Sequence, residues 1–187
     1  MIHVYDKCPI FENEKYYLRL ISADDIKDLL TVYSDINAVP MFNSDNCNGD
    51  DFHYETKERM KEAIEFWIFS YNNKYFVRWS IIDKSTNEVI GTIELFNRNS
   101  DDYFNNCGIL RLDLRSDYEN VSDIKSILSL IIEPAYSLFD CKLIAMKAIE
   151  LATSRRIALN ELGFSQSNEK LIENNGVEYG SYFEIVR

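Results

Sequence analysis

The sequence predicts an α/β domain, a mixed sheet flanked by helices. Three observations carry this. The hydrophobic periodicities run in the order β-α-α-β-β-β-α-β-α-β, with antiparallel hairpins first and a strand–helix–strand crossover later. Hydrophobic residues make up 46% of 187 residues, enough to bury one core. With only three prolines and six glycines, no linker or repeat divides the chain. Residues 1–187 therefore read as one domain, with 1–15 as an N-terminal extension.

The elements follow in order. Residues 16–21 form a short β-like run. Ser22 then caps a helix, with Asp24 and Asp25 in its first turn and a stripe at Ile26, Leu29, Leu30 and Tyr33. The polar stretch 43–51 is a loop. Thr56 opens a second helix whose stripe is Met60, Ala63, Ile64, Trp67 and Tyr71. Two strands come next, joined by a hairpin turn at 83–88. The first, 75–82, puts Tyr75, Val77, Trp79 and Ile81 on one face; the second, 89–96, does so with Val89, Ile93 and Leu95. Strand 107–114 points Leu110, Leu112 and Leu114 one way and Ile109, Arg111 and Asp113 the other. The helical pattern over 124–138 contains Pro134, which kinks it or starts a new turn. Strand 142–149, a helix over 152–162 stopped by Gly163, and strand 182–186 complete the chain.

Composition excludes several functions. There are 20 Lys and Arg against 31 Asp and Glu, a net charge of −11 with no basic stripe, so nucleic acid is not an expected partner. No apolar run approaches the ~20 residues of a membrane span. Residues 1–6 lack a basic, then apolar, signal pattern. The cysteines, Cys8, Cys47, Cys107 and Cys141, are scattered and read as reduced thiols of a cytoplasmic protein. Of the two histidines, His3 stands alone, and His53 beside Asp50 and Asp51 reads as a solvated loop rather than a metal site, so no metal is expected. A Gly-x-Ser-x-Gly elbow, a P-loop and a paired-glycine dinucleotide fingerprint are all absent.

Three strings, in this order and spacing, resemble the GNAT superfamily of N-acetyltransferases and its ribosomal-protein and small-molecule branch. They are Leu18-Arg19-Leu20-Ile21 followed by Ala23-Asp24-Asp25, the hairpin leading to Ile90-Gly91-Thr92-Ile93, and Leu159-x-x-Leu162-Gly163-Phe164. The resemblance implies an acyl-CoA N-acyltransferase fold, a twisted mixed sheet in which strands 107–114 and 142–149 run parallel and splay apart. It also implies acetyl-CoA as cosubstrate and a small-molecule or peptide amine as acceptor. The cofactor would lie on the backbone of Leu112, Asp113 and Leu114 and on the helix start at Asn120, Val121 and Ser122, with Tyr118 matching the aromatic before the family's phosphate loop. That loop departs from the pattern: Glu119 replaces Gln or Arg, while Ser122 and Ile124 replace Gly or Ala. Glu119 and Asp123 put negative charge where phosphates would sit. In the last helix Ala152 and Leu159 stand at the family's Asn and Tyr positions. The segment is read equally as a phosphate cradle or as a plain helix start with an acidic first turn.

Acetyl transfer needs a base. Glu94 is the first choice and Asp113 the second, because each lies in an apolar run where burial raises a carboxylate pKa; the alternative is that each faces solvent or pairs with a neighbour such as Arg111. The acidic segment 45–51 is expected to draw in an ammonium group. Two functions stay open: an acetyltransferase, and a non-catalytic module of the same fold that binds a ligand or partner. The oligomeric state also stays open, a homodimer included.

Overall fold

The computed structural model describes residues 4–173 and 175–187; His3 lies outside them. Strands β1 (Phe11–Glu12) and β2 (Tyr16–Leu20) open the chain, followed by α1 (Ile26–Tyr33) and α2 (Lys57–Asn72). Then come β3 (Val77–Asp83), β4 (Glu88–Arg98), β5 (Cys107–Leu114), α3 (Val121–Leu128) and α4 (Ile132–Leu138). The chain ends with β6 (Leu143–Lys147), α5 (Thr153–Glu161), β7 (Ser165–Gln166), β8 (Leu171–Ile172), β9 (Glu178–Tyr179) and β10 (Tyr182–Val186). Eight strands form one sheet in the order β1-β2-β3-β4-β5-β6-β10-β7; β8 and β9 pair separately.

Local chemistry explains the boundaries. Ser22 and Asp25 form a reciprocal capping box ahead of α1, and Thr56 accepts from the Arg59 amide at the start of α2. Pro134 falls in the first turn of α4, where its missing N–H costs nothing, so 121–138 becomes two helices rather than one. Gly163 ends α5 at φ +92°, the left-handed conformation that glycine adopts without strain.

Both faces of the sheet are covered. Leu18, Val77, Trp79, Ile93, Leu110 and Leu112 meet α3, α4 and α5. The opposite face packs on α1 and α2 through a second cluster that includes Leu29, Tyr33, Ile64 and Trp67. The N-terminal segment joins the first core: Val4 is buried, and the Trp79 indole donates to the Pro9 carbonyl at 2.9 Å.

Two face assignments need correction. A register shift between Ile81 and Ile82 leaves Ile90 as an extra residue in β4, so Val89 sits with Ile82 in the α1–α2 core while Ile93 and Leu95 face the other way. Tyr75 precedes β3 instead of joining it and is exposed.

One pairing matters most for function. β5 and β6 are parallel, with partners running from Cys107↔Leu143 to Leu110↔Met146. Beyond Leu110 the ladder stops, while β5 stays paired with β4 as far as Gly91↔Leu114. The expected parallel pair with an open end is therefore present. Gly91 lies at that end because a Cβ there would sit 2.2 Å from the Asp113 carbonyl oxygen. Gly91→Ala should lower stability by roughly 1–3 kcal/mol in urea denaturation, through overpacking against backbone. Gly180→Ala, whose Cβ meets nothing within 4 Å, should change it little.

Candidate functional site

The site is built on the β3–β4–β5 face beneath α1 and α2. On β3, Arg78 alternates with Val77 and Trp79, so its side chain enters the other core, where it is 1% exposed. A guanidinium cannot shed its proton there, so it must find carboxylates. The register supplies them, setting Arg78 opposite Glu94 and Thr92 opposite Asp113. Arg78 donates to Glu94 Oε2 at 2.5 and 3.2 Å and to Asp113 Oδ2 at 2.9 Å. Tyr33 on α1 donates to the same Asp113 oxygen at 2.7 Å, and the Trp67 ring of α2 stacks 4.2 Å from the guanidinium. Burial holds the Tyr33 phenol far above its ordinary pKa, so it remains a donor.

Arg111, opposite Glu94, continues the network. It donates to Glu94 Oε1 at 2.8 Å and to the Asp45 carbonyl at 2.7 Å. The Asp45 carboxylate then takes Lys147 Nζ at 2.5 Å and the Tyr182 hydroxyl at 3.0 Å. The network thus spans β3 to β10.

Glu94 behaves differently from the sequence expectation. Burial pushes its pKa up, but the adjacent Arg78 and Arg111 guanidiniums outweigh burial and hold it below the usual carboxylate range. Asp113 is equally buried, and its Oδ1 has no partner among the described residues. The loop charges are also partly compensated. Asp45 pairs with Lys147, and Asp50 pairs with Arg59 at 2.6 Å, so among the described residues Asp51 alone keeps the segment 45–51 negative, a weaker field than expected. The His53 amide donates to Asp51 Oδ1 within that loop.

A cavity of about 460 Å³ opens between α2 and the sheet. Glu94 and Arg111 reach it from the strands, Trp67 and Phe66 from α2, and Phe52 and Asp50 from the loop. Cys47 also lines it; burial pushes its thiol up to about 11, which leaves it un-ionised at neutral pH.

The other half of the candidate site is the open end between β5 and β6. The Arg115 amide donates to the Ile90 carbonyl, so by alternation Asp113 also bonds toward β4, while the Leu112 and Leu114 backbone groups turn toward β6. Asn120 caps α3 by accepting from the Asp123 amide, which leaves the first-turn amides of Val121 and Ser122 without an intrahelical acceptor. These features fit an extended ligand arm ending in an anion.

Three features differ from the sequence reading of this region. The Tyr118 hydroxyl donates to Asp83 at 2.9 Å and its ring packs on Tyr16, which ties it to the β2–β3 side. Asp123 is neutralised by Lys15 at 2.5 Å. Glu119 is bound bidentately by Arg155 of α5, a residue 1% exposed that also donates to the Met41 carbonyl at 2.8 Å. This pair joins the segment after β5 to the helix after β6 and so crosses the opening between them.

The fold has parallels among solved structures. The chain matches a GNAT-family acetyltransferase from Bacillus anthracis at a TM-score of 0.70 and 11% identity, over 95% of this chain and 98% of that one. The fold is the GNAT fold. A ribosomal-protein-S5-alanine acetyltransferase from Vibrio fischeri matches at 0.71 and 18% identity, over 95% and 96% of the two chains. The microcin C7 self-immunity acetyltransferase MccE, solved with acetyl-CoA and AMP, matches at 0.70 and 15%, over 94% of each. No family model and no curated protein matches the sequence. Among the described residues of this GNAT-fold chain, no helix is long and apolar enough to cross a membrane.

Removing Arg78 takes from buried Asp113 its one cation among the described residues and leaves Glu94 with Arg111 alone. Arg78→Met should cost about 3–5 kcal/mol in chemical denaturation, whereas the exposed pair Lys61–Glu65 should contribute less than about 1 kcal/mol when broken.

Proposed function

We propose that the chain moves an acetyl group from acetyl-CoA to the amine of an acceptor bound in the α2 cavity. The observation that carries this reading is the bare Leu112–Leu114 edge on a GNAT-fold sheet, lying between the α3 start and the Glu94–Arg111 pair. Acetyl-CoA supplies the activated acetyl thioester. The backbone of Leu112, Asp113 and Leu114 positions its arm, and Asn120, Val121 and Ser122 receive its phosphates at the positive end of α3. Tyr118 supports that loop from below through Asp83.

Glu94 holds the acceptor amino group and, once that group has lost its ammonium proton to solvent, takes the further proton that the nitrogen sheds as it bonds to the acetyl carbon, with Asp113 as the second carboxylate within the same network. Because two guanidiniums keep Glu94 ionised well below neutral pH, it does not set the pH optimum. The folded pKa is depressed, so Glu94 loses its charge only as pH falls through a value under the ordinary carboxylate range. Between pH 6 and 9 kcat/KM should therefore rise with the amine's own deprotonation; a bend near pH 6–7 that disappears in Glu94→Gln would contradict this. Glu94→Gln should lower turnover by roughly 10²–10⁴-fold.

One observation favours the second reading, a non-catalytic module: the Glu119–Arg155 pair across the opening. Calorimetry with acetyl-CoA separates the two. Glu119→Gln keeps an acceptor for Arg155 but removes the competing charge, and should tighten acetyl-CoA roughly tenfold. Glu119→Arg is the poorer variant, since it sets a second guanidinium against buried Arg155. If neither wild type nor Glu119→Gln binds acetyl-CoA, the module reading stands and the transferase reading falls.

A further inference from the structure

We propose that the α2 cavity takes a small aromatic α-amino acid, with its ring against the aromatic wall and its amino and carboxylate groups against Glu94 and Arg111. This rests on reading the cavity as the acceptor side and names the class of acceptor.

The first support is charge. The ionised groups lining the cavity are Asp50 and Glu94 against Arg59 and Arg111, and they are paired, Asp50 with Arg59 and Glu94 with Arg111. The lining carries no net charge, so it suits a zwitterion. A polyamine would bring several positive charges toward two guanidiniums.

The second is the state of the rings. Arg59 lies 4.4 Å from the Tyr54 ring centre, Arg78 4.2 Å from Trp67 and Arg111 5.4 Å from Phe96. The inner ring faces of the cavity, those of Tyr54, Trp67 and Phe96, already hold internal cations. At the mouth, Phe66 and Tyr75 are 57% and 62% exposed, and they offer ring surface to a ring.

The third is an unmet donor. Arg111 Nε is buried without an acceptor among the described residues, although both terminal nitrogens of the same guanidinium are engaged. A ligand carboxylate supplies what it lacks. Glu94 Oε1, which accepts from Arg111 alone, retains a lone pair for an ammonium beside it. The cavity volume of about 460 Å³ suits a molecule of amino-acid size.

The test is calorimetric titration of the protein, without acetyl-CoA, with L-phenylalanine, phenethylamine, 3-phenylpropionate and spermidine. L-phenylalanine should bind, and loss of either charged group should weaken it about tenfold or more. Phe66→Ala and Tyr75→Ala, both at exposed positions that folding does not require, should each weaken it about 3- to 10-fold. Spermidine binding more tightly than L-phenylalanine, or rim variants that leave L-phenylalanine affinity unchanged, would overturn the proposal. The two readings fail separately. Binding of L-phenylalanine without its acetylation in the presence of acetyl-CoA removes the transferase reading and leaves this one. Acetylation of spermidine with no L-phenylalanine binding does the reverse.

Discussion

Everything on the α1–α2 face depends on one buried cation. Arg78 sits in the middle of the sheet, where an unpaired guanidinium would cost several kcal/mol, a large share of a domain's stability margin. The two carboxylates it needs come from the neighbouring strands, so the β3–β4–β5 register is fixed electrostatically as well as by the apolar pattern. A one-residue slip would turn Glu94 or Asp113 to the opposite face and leave Arg78 unpaired. Tyr33 and Trp67 tie both helices to the same group. The remaining Glu94 oxygen orients Arg111, Arg111 holds the Asp45 backbone, and Asp45 reaches Lys147 and Tyr182. The cavity wall is therefore rigid and neutral because the network beneath it is.

The opposite side of the β5 edge is organised by a second buried cation. Arg155 is linked to Glu119 and Met41, which draws the segment after β5 and the turn after α1 toward α5. The sheet opens at its C-terminal end, and this ion pair spans the gap. Beyond Glu119, Ser122 and Ile124 stand where glycines would let a phosphate approach more closely. The acidic residues near the α3 start are thus structural members: Glu119 and Asp123 both have cations of their own.

Much of this was legible in the sequence. The order of the main elements, the caps at Ser22 and Thr56, the break at Pro134 and the end at Gly163 follow from local chemistry, and the structure has each of them. The parallel β5–β6 pair followed from the crossover. What local pattern does not carry was missed. The bulge at Ile90 breaks a strict alternation and sends Val89 to the other face. Glu94 and Asp113 are both buried, as their apolar runs suggest, but Glu94 pairs with Arg111 and with Arg78, and only the first of these was among the readings its sequence allowed. The lowered pKa of Glu94 depends on Arg78 and Arg111, which come alongside only once the hairpin register is set. A signal was available, since Arg78, Glu94, Arg111 and Asp113 all occupy one face of three consecutive strands. The Glu119–Arg155 pair joins residues far apart in sequence and left no such trace.

The central claim is that Glu94 is an ionised carboxylate clamped by two guanidiniums beside the cavity. The most direct measurement is a carbon-detected NMR titration of protein labelled with ¹³C at the glutamate side-chain carboxyl, with Glu94→Gln identifying the resonance. The account predicts that the Glu94 signal stays in its ionised position from pH 8 down through the ordinary glutamate range and moves only below it, as the fold itself begins to fail. A Glu94 signal that titrates above that range, near pH 6 or higher, would contradict the account.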